Sequence, residues 1–185
     1  MEQEIDQKIL TLVQNKTSID KGFRLLMDTY QEKLYRHVRR MLKGHEDTND
    51  VLQNVMIKVY KSIQRFKGKS SLYTWLYRIA TNETLTFIKS KKRKETSSID
   101  NEDLGLDKRL KAENSVDSEE VNYYLNKALA LLPEKQKLVF NMRYFDQMPY
   151  DEISKILDTS VGALKASYHH AVKKIEAYIN QADII

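Results

Sequence analysis

One long interruption in the hydrophobic pattern of this chain limits what it can fold into. From Glu95 to Glu120 the sequence ETSSIDNEDLGLDKRLKAENSVDSEE is polar, acidic and poor in large apolar residues. Such a segment cannot bury enough surface to offset the entropy of ordering it, so it reads as a flexible linker with a transient turn around Leu104 to Leu110. The 185 residues therefore divide into a first domain at 1–94, an acidic linker at 95–118 and a second domain at 119–185. Domains of this size, roughly 60 to 90 residues, are only marginally stable alone, so each needs nearly all of its apolar residues in one core.

On both sides of the break, apolar residues recur at three-to-four spacing, the helical period. With 5 Gly, 2 Pro and no alternating β-branched run bounded by turn residues, the expected fold is all-α, two small helical domains. Ile5, Ile9, Leu12 and Val13 form a short stripe. After Thr17-Ser18, a longer stripe of Phe23, Leu26, Met27, Tyr30, Leu34, Val38, Met41 and Leu42 closes near Gly44. Arg36, Arg39, Arg40 and Lys43 gather at its C-terminal end, where cations complement the helix dipole. Asp47 or Thr48 is expected to cap a helix from Asn49 to Phe66, with Val51, Leu52, Val55, Val59, Ile63 and Phe66 inward. Its other face carries Asp50, Gln53, Asn54 and Ile57, a low-charge, partly apolar strip of the kind that protein contacts use.

Phe66 to Lys94, FKGKSSLYTWLYRIATNETLTFIKSKKRK, concentrates the single Trp, two Tyr, two Phe and a basic run. Leu72, Trp75, Leu76, Ile79, Leu85 and Ile88 read as the buried stripe of one helix. The loop that precedes it sets Lys67, Gly68, Lys69, Ser70 and Ser71 beside Phe66: cations for phosphate, hydroxyls for base edges and a ring for stacking, as single-stranded nucleic acid requires. In the second domain, Ser118 opens a helix with Val121, Tyr124, Leu125, Ala128, Leu129 and Leu132 inward, and Pro133 starts the next at its favoured first position. The short segment Tyr150 to Leu157, the Asp158-Thr159-Ser160 turn and a last helix from Val161 to about Ile179 have the helix-turn-helix pattern. On that last helix Leu164, Tyr168, Ala171 and Ile175 share the inward arc, while Gly162, Lys165, Ala166, His169, His170 and Lys173 face outward. Small residues there permit close approach to a major groove, and His and Lys supply donors to bases and phosphates.

Charge is divided along the chain. Residues 1–94 carry 20 Lys and Arg against 10 Asp and Glu, the next 26 carry 3 against 9, and the last 65 carry 8 against 7. A basic first domain implies a polyanion partner, and the acidic middle cannot lie on DNA. Zero Cys excludes disulfides and thiolate chemistry, and the acidic start MEQEIDQKIL has no continuous apolar segment. The expectation is a cytoplasmic protein without membrane insertion. The glycines lack phosphate-loop spacing, and His37, His45, His169 and His170 have neither metal-ligand nor triad spacing, so no enzyme, metal or cofactor is expected.

Taken in order, these segments resemble the extracytoplasmic-function (ECF) sigma factors of the sigma-70 family. DVLQNVMIKVY is similar to the family's region 2.2, FKGKSSLYTWLYRIATN to its regions 2.3 and 2.4, and LPEKQKLVFNMRYFDQMPYDEISKILDTSVGALKASYHHAVKKI to its region 4. The pattern FxGxSxxxTWLxxIAxN is the specific part; a helix-turn-helix alone is shared by many regulators. The resemblance implies that Asp50, Gln53 and Asn54, with Ile57 on the same strip, dock on the clamp coiled coil of the largest subunit of RNA polymerase core. It implies a pocket for a flipped, non-template minus-ten base at Phe66, Lys67, Gly68, Ser70, Ser71 and Asn82, with Tyr77, Arg78 and Trp75 nearby and Trp75 in the core. It further implies minus-thirty-five promoter recognition by Lys165, Ala166, His169 and His170, with Arg143, Tyr150 and Lys173 on phosphates.

The chain departs from the family pattern at Asn54, commonly Glu, and at Ala163, Ala166, Ser167 and His170, commonly Thr, Ser, Arg and Arg, which implies an unusual promoter sequence. The acidic linker resembles the segment that such factors thread through the RNA exit channel, and an anti-sigma factor is the usual partner of the class. Two other readings use the same residues: a helix-turn-helix DNA-binding regulator that does not bind core polymerase, and a signalling-type interaction protein that uses the amphipathic faces without nucleic acid.

Overall fold

The computed structural model describes residues 2–42, 44–97 and 116–181. They form helices and turns without a strand, in two compact units that divide between Ile99 and Asp100. The acidic stretch 98–115, with the turn expected at Leu104 to Leu110, lies outside the described residues, as does Lys43.

In the first unit α1 (Glu2–Gln14) lies against α2 (Ile19–Met41), and α2 packs with α3 (His45–Ser62) and α4 (Leu72–Ser97) around a shared core. Ile9 and Val13 of α1, Leu26, Leu34 and Val38 of α2, Val51, Val55 and Val59 of α3, and Leu72 and Leu76 of α4 are almost fully enclosed. Arg39 closes α2 as the charge pattern implied: its Nη1 donates to the Leu42 carbonyl at 3.0 Å.

In this unit and at the start of the next, helix boundaries differ from the sequence reading. α3 begins at His45, four residues before Asn49, with Gly44 in extended backbone as its N-cap. Thr48 is buried inside the first turn, its hydroxyl donating to the Gly44 carbonyl at 2.7 Å, and Asp47 pairs with Lys91, so neither caps. At its other end α3 tightens into a 3₁₀ turn, Ile63–Arg65, before Phe66 leaves in extended backbone. α5 (Val116–Leu131) begins two residues before Ser118.

The buried face of α4 also differs. Leu72 and Leu76 are enclosed, but Trp75, Ile79, Leu85 and Ile88 are only half-buried. The face toward the bundle consists of Thr74, Tyr77, Ala80, Thr81 and Thr84. The hydroxyls on this face are satisfied inside: Thr81 Oγ1 meets His37 Nε2 at 3.0 Å and Thr84 Oγ1 donates to the Ala80 carbonyl at 2.7 Å.

The second unit is built on α8 (Val161–Gln181), which packs against α5, α6 (Glu134–Phe140) and α7 (Tyr150–Leu157). Pro133 sits one residue before α6 as its N-cap and not at the first helical position. α6 widens into a π-helical turn, Asn141–Phe145, before the chain reverses through Gln147 in left-handed backbone. The helix-turn-helix follows as read: α7 ends at Asp158, whose φ of 50° turns the chain, and Ser160 Oγ accepts the Ala163 N–H at 3.3 Å to cap α8.

At Gly22 of α2 a Cβ would lie 2.7 Å from Val13 Cγ1 and 2.9 Å from the Val13 backbone N, so α1 and α2 touch through backbone there. Gly22→Ala is expected to destabilise the first unit by about 1–3 kcal/mol despite the better helix propensity of Ala, because the helices must separate. Urea unfolding of the two proteins checks this; equal midpoints would mean that the helices yield without cost.

Candidate nucleic-acid interface

The loop and helix that the sequence singled out meet at one aromatic contact. Phe66 and Trp75 lie with ring centroids 5.2 Å apart, tilted by 52°. This folds the loop back over the first turn of α4. Gly68 takes φ of +66° with open space around it, a backbone conformation in which a side chain would be strained. Lys67, Gly68 and Lys69 are exposed and Ser70 half-buried. Ser71 caps α4: its Oγ accepts the Thr74 N–H at 3.1 Å and lies 2.7 Å from Thr74 Oγ1, so this hydroxyl is already engaged.

From Ser71 the residues Trp75, Arg78, Asn82, Thr86 and Lys89 follow at spacings of four and three, one line along the helix. Arg78, Asn82, Thr86 and Lys89 are all exposed. Because Phe66 rests on Trp75, the folded-back loop is only about 10 Å of helical rise from Asn82. The line thus offers, in sequence, cations, a hydroxyl, two partly accessible rings, a guanidinium and an amide, a set able to hold phosphates and one unstacked base.

Trp75 belongs to this outward line and not to the core, where the sequence reading put it. Tyr77 is the reverse: 2 % exposed, its ring 4.8 Å from that of His37 and 4.3 Å from that of Tyr73, with its hydroxyl toward the Lys33 carbonyl. Its place beside α2 removes it from the candidate nucleic-acid residues. Of the basic run at the end of α4, Lys91 is held back by Asp47 at 2.7 Å.

On α3, Asp50, Gln53, Asn54 and Ile57 are all exposed on one side, Ile57 by 44 %. The sequence reading missed Tyr60, which stands one turn beyond Ile57 and is 41 % exposed. Its hydroxyl donates to Asp20 Oδ1 at 3.0 Å and its ring meets Phe23 edge-on at 5.0 Å. That hydrogen bond, with the adjacent carboxylate charge, holds the phenol above its ordinary pKa. The i+3 spacing from Ile57 was the available signal.

In the second unit the outward residues of α8, Gly162, Lys165, Ala166, His169, His170 and Lys173, are exposed, and Leu164, Ala171 and Ile175 are buried as read. Arg143 and Tyr150 are part-buried beside them. Tyr168 is less enclosed than its neighbours on that arc; burial foremost, with the Tyr150 phenol adding and Arg143 opposing, raises its pKa.

Residues 26–94 match the family model of sigma-70 region 2, and residues 123–175 that of sigma-70 region 4. Over 183 residues the chain is 33% identical to the ECF RNA polymerase sigma-E factor of Escherichia coli, covering 95% of this chain and 94% of that protein. This chain belongs to the ECF sigma factors. The sigma-E factor of Haemophilus influenzae is 32% identical over 95% of each chain. Among solved structures, the sigma factor RpoE bound to the anti-sigma factor NepR from Bartonella quintana has a TM-score of 0.71 at 17% identity, covering 86% of this chain and 98% of that one. CnrH in complex with the cytosolic domain of CnrY has a TM-score of 0.70 at 16% identity, covering 96% of this chain and 98% of that one. At such identities the likeness is one of fold. Among the described residues no helix of this sigma factor is long and apolar enough to cross a membrane.

The exchange of Tyr77 and Trp75 between core and surface gives a direct test. Tyr77→Ala is expected to destabilise the first unit by about 3 kcal/mol or more, whereas Arg78→Ala stays within about 0.5 kcal/mol. Thermal unfolding measures both; comparable losses would return Tyr77 to the surface.

Proposed function

We propose that this sigma factor directs core RNA polymerase to promoters and assists DNA melting by capturing one unstacked non-template base of the minus-ten element. The observation that carries the proposal is the exposed line from the Phe66 to Ser71 loop through Trp75 and Arg78 to Asn82, rooted on a buried helix face. Opening a duplex costs stacking and pairing energy, and a site that holds the extruded base offsets part of that cost, so recognition and melting are one event. Lys67, Lys69 and Arg78 attract the backbone, the Phe66 and Trp75 rings offer stacking surface, and Ser70 and Asn82 supply hydrogen bonds to the base.

In this reading, domain 1–94 binds both the minus-ten element and the polymerase, and domain 119–185 reads the minus-thirty-five element. Asp50, Gln53, Asn54 and Ile57 face the clamp coiled coil of the largest subunit. Lys165, Ala166, His169 and His170 face the bases of the upstream element, with Arg143 and Lys173 toward phosphates. The linker 95–118 carries its negative charge through the RNA exit channel. The two solved neighbours were each obtained with a protein partner, the anti-sigma factor NepR and the cytosolic domain of CnrY, and an anti-sigma factor is the proposed partner of this chain.

Reconstitution with core polymerase on a genomic template tests the whole reading: promoter-specific transcripts are expected, and absence of both transcript and core binding would leave a duplex-binding regulator as the better account. Within the holoenzyme, Ser70→Ala with Asn82→Ala is expected to lower open-complex formation about thirtyfold while core affinity changes less than about twofold, since each removes about 1 kcal/mol of hydrogen bonding. Equal loss of both would argue against a base site. His169→Ala with His170→Ala is expected to lower discrimination at the upstream element by about 1–3 kcal/mol for each base-edge hydrogen-bonding pair removed. Footprints on matched and mismatched promoters read this out, and unchanged discrimination would mean that neither histidine touches a base.

A further inference from the structure

Three elements of the second unit bring two cations to one ring. The Arg143 guanidinium carbon lies 5.2 Å from the centroid of the Tyr150 ring, and the Lys165 ammonium lies 5.9 Å from the same centroid. Arg143 comes from the π-helical turn, Tyr150 is the first residue of α7, and Lys165 is in the second turn of α8. We propose that Tyr150 is a positioning residue whose ring holds Arg143 and Lys165 as a fixed pair of cations on the promoter, Arg143 toward a backbone phosphate and Lys165 toward the base edges. This rests on the reading of α7 and α8 as the unit that binds the upstream element.

The ring is itself held. It meets Tyr168 in a T-shaped contact, centroids 6.4 Å apart at 80°. Tyr168 stacks on Phe140 at 5.7 Å and 13°, and Phe140, 4 % exposed, stacks in turn on Tyr144 at 5.1 Å. Arg143 is fixed from a second side, its Nη1 donating to the Met148 carbonyl at 3.2 Å, while the Met148 N–H donates to the Met142 carbonyl at 3.0 Å and closes the same loop. The π-helical turn places Arg143 where it can make both contacts.

The chemistry of the contact decides its use. A carboxylate would order the two cations equally well but would cancel the charge that a phosphate must see. A ring face attracts a guanidinium or an ammonium through its quadrupole and leaves both the charge and the outward N–H groups available. Long cationic side chains lose rotamer freedom on binding, and a pair already ordered loses less. Tyr150 on this account acts through its ring and not through a hydroxyl bonded to phosphate.

The test is salt-dependent binding of promoter DNA by the holoenzyme with Tyr150→Phe and Tyr150→Leu. Tyr150→Phe keeps the ring and is expected to bind within about twofold of the parent. Tyr150→Leu keeps bulk without a quadrupole and is expected to bind about fivefold more weakly at low salt, with a salt slope shallower by about one. Its effect should shrink in a Lys165→Met background, which a purely structural role for the ring would not produce. Equal losses for Phe and Leu with an unchanged slope would assign the hydroxyl a direct role and overturn the proposal, as would a silent Tyr150→Leu. Lys173→Met separates the two levels: if it weakens binding while Tyr150→Leu does not, only the positioning role of the Tyr150 ring fails; if neither it nor Lys165→Met matters, the DNA-binding reading of α8 fails with it.

Discussion

The rotation of α4 about its own axis is the constraint on which the first unit's surface depends. It is set in part by the contact with α2, where His37 meets Thr81 across 3.0 Å, both fully buried. A buried imidazole nitrogen and a buried hydroxyl must find each other or forgo the hydrogen bonds they had in water, so the helix cannot turn freely under its apolar neighbours. With that face inward, the line Ser71, Trp75, Arg78 and Asn82 is outward by geometry alone. The packing of Phe66 on Trp75 then decides where the preceding loop lies. The exposed surface is thus a consequence of the polar interior.

α8 plays the corresponding part in the second unit, but there the setting is apolar. Leu164, Ala171 and Ile175 are buried against the other helices, and the outward residues follow at the helical period. The left-handed Asp158 and the Ser160 cap fix where α8 begins, hence which residues occupy its first two turns. The π-helical turn adds one residue to a helical repeat, which shifts Arg143 and Tyr144 around the axis relative to an ordinary helix. Tyr144 thereby stays exposed yet stacked on Phe140, and Arg143 reaches Tyr150.

The boundaries missed in the sequence have physical causes. Side-chain capping favours Ser, Thr, Asp and Asn, so Asp47 and Thr48 look like better starts for α3 than Gly44, yet both serve the bundle instead. Periodicity assigns the bulkiest apolar residues inward, which puts Trp75 and Ile79 in the core and Tyr77 outside it. The interior takes the small and hydroxylated residues Thr74, Ala80, Thr81 and Thr84 instead, a preference that depends on the helices packed against α4 and not on the stripe. Tyr60 escapes notice because a tyrosine late in a helix gives no sign of whether another element will hold it; Asp20 and Phe23, some 40 residues earlier, do so.

The sequence by itself determined the helical class, the two-part division around an acidic stretch, the helix-turn-helix and the outward face of α8, and the family to which the chain belongs. Each follows from local signals: period, punctuation, composition and short motif. Only the tertiary structure decided which face of α4 is buried, that Ser71 spends its hydroxyl on a cap, that Lys91 is paired with Asp47, and that Arg143 and Lys165 share one ring. Most of these depend on residues far apart in the chain, whose meeting is fixed by packing and by the need of buried polar groups for partners, and no local pattern encodes it.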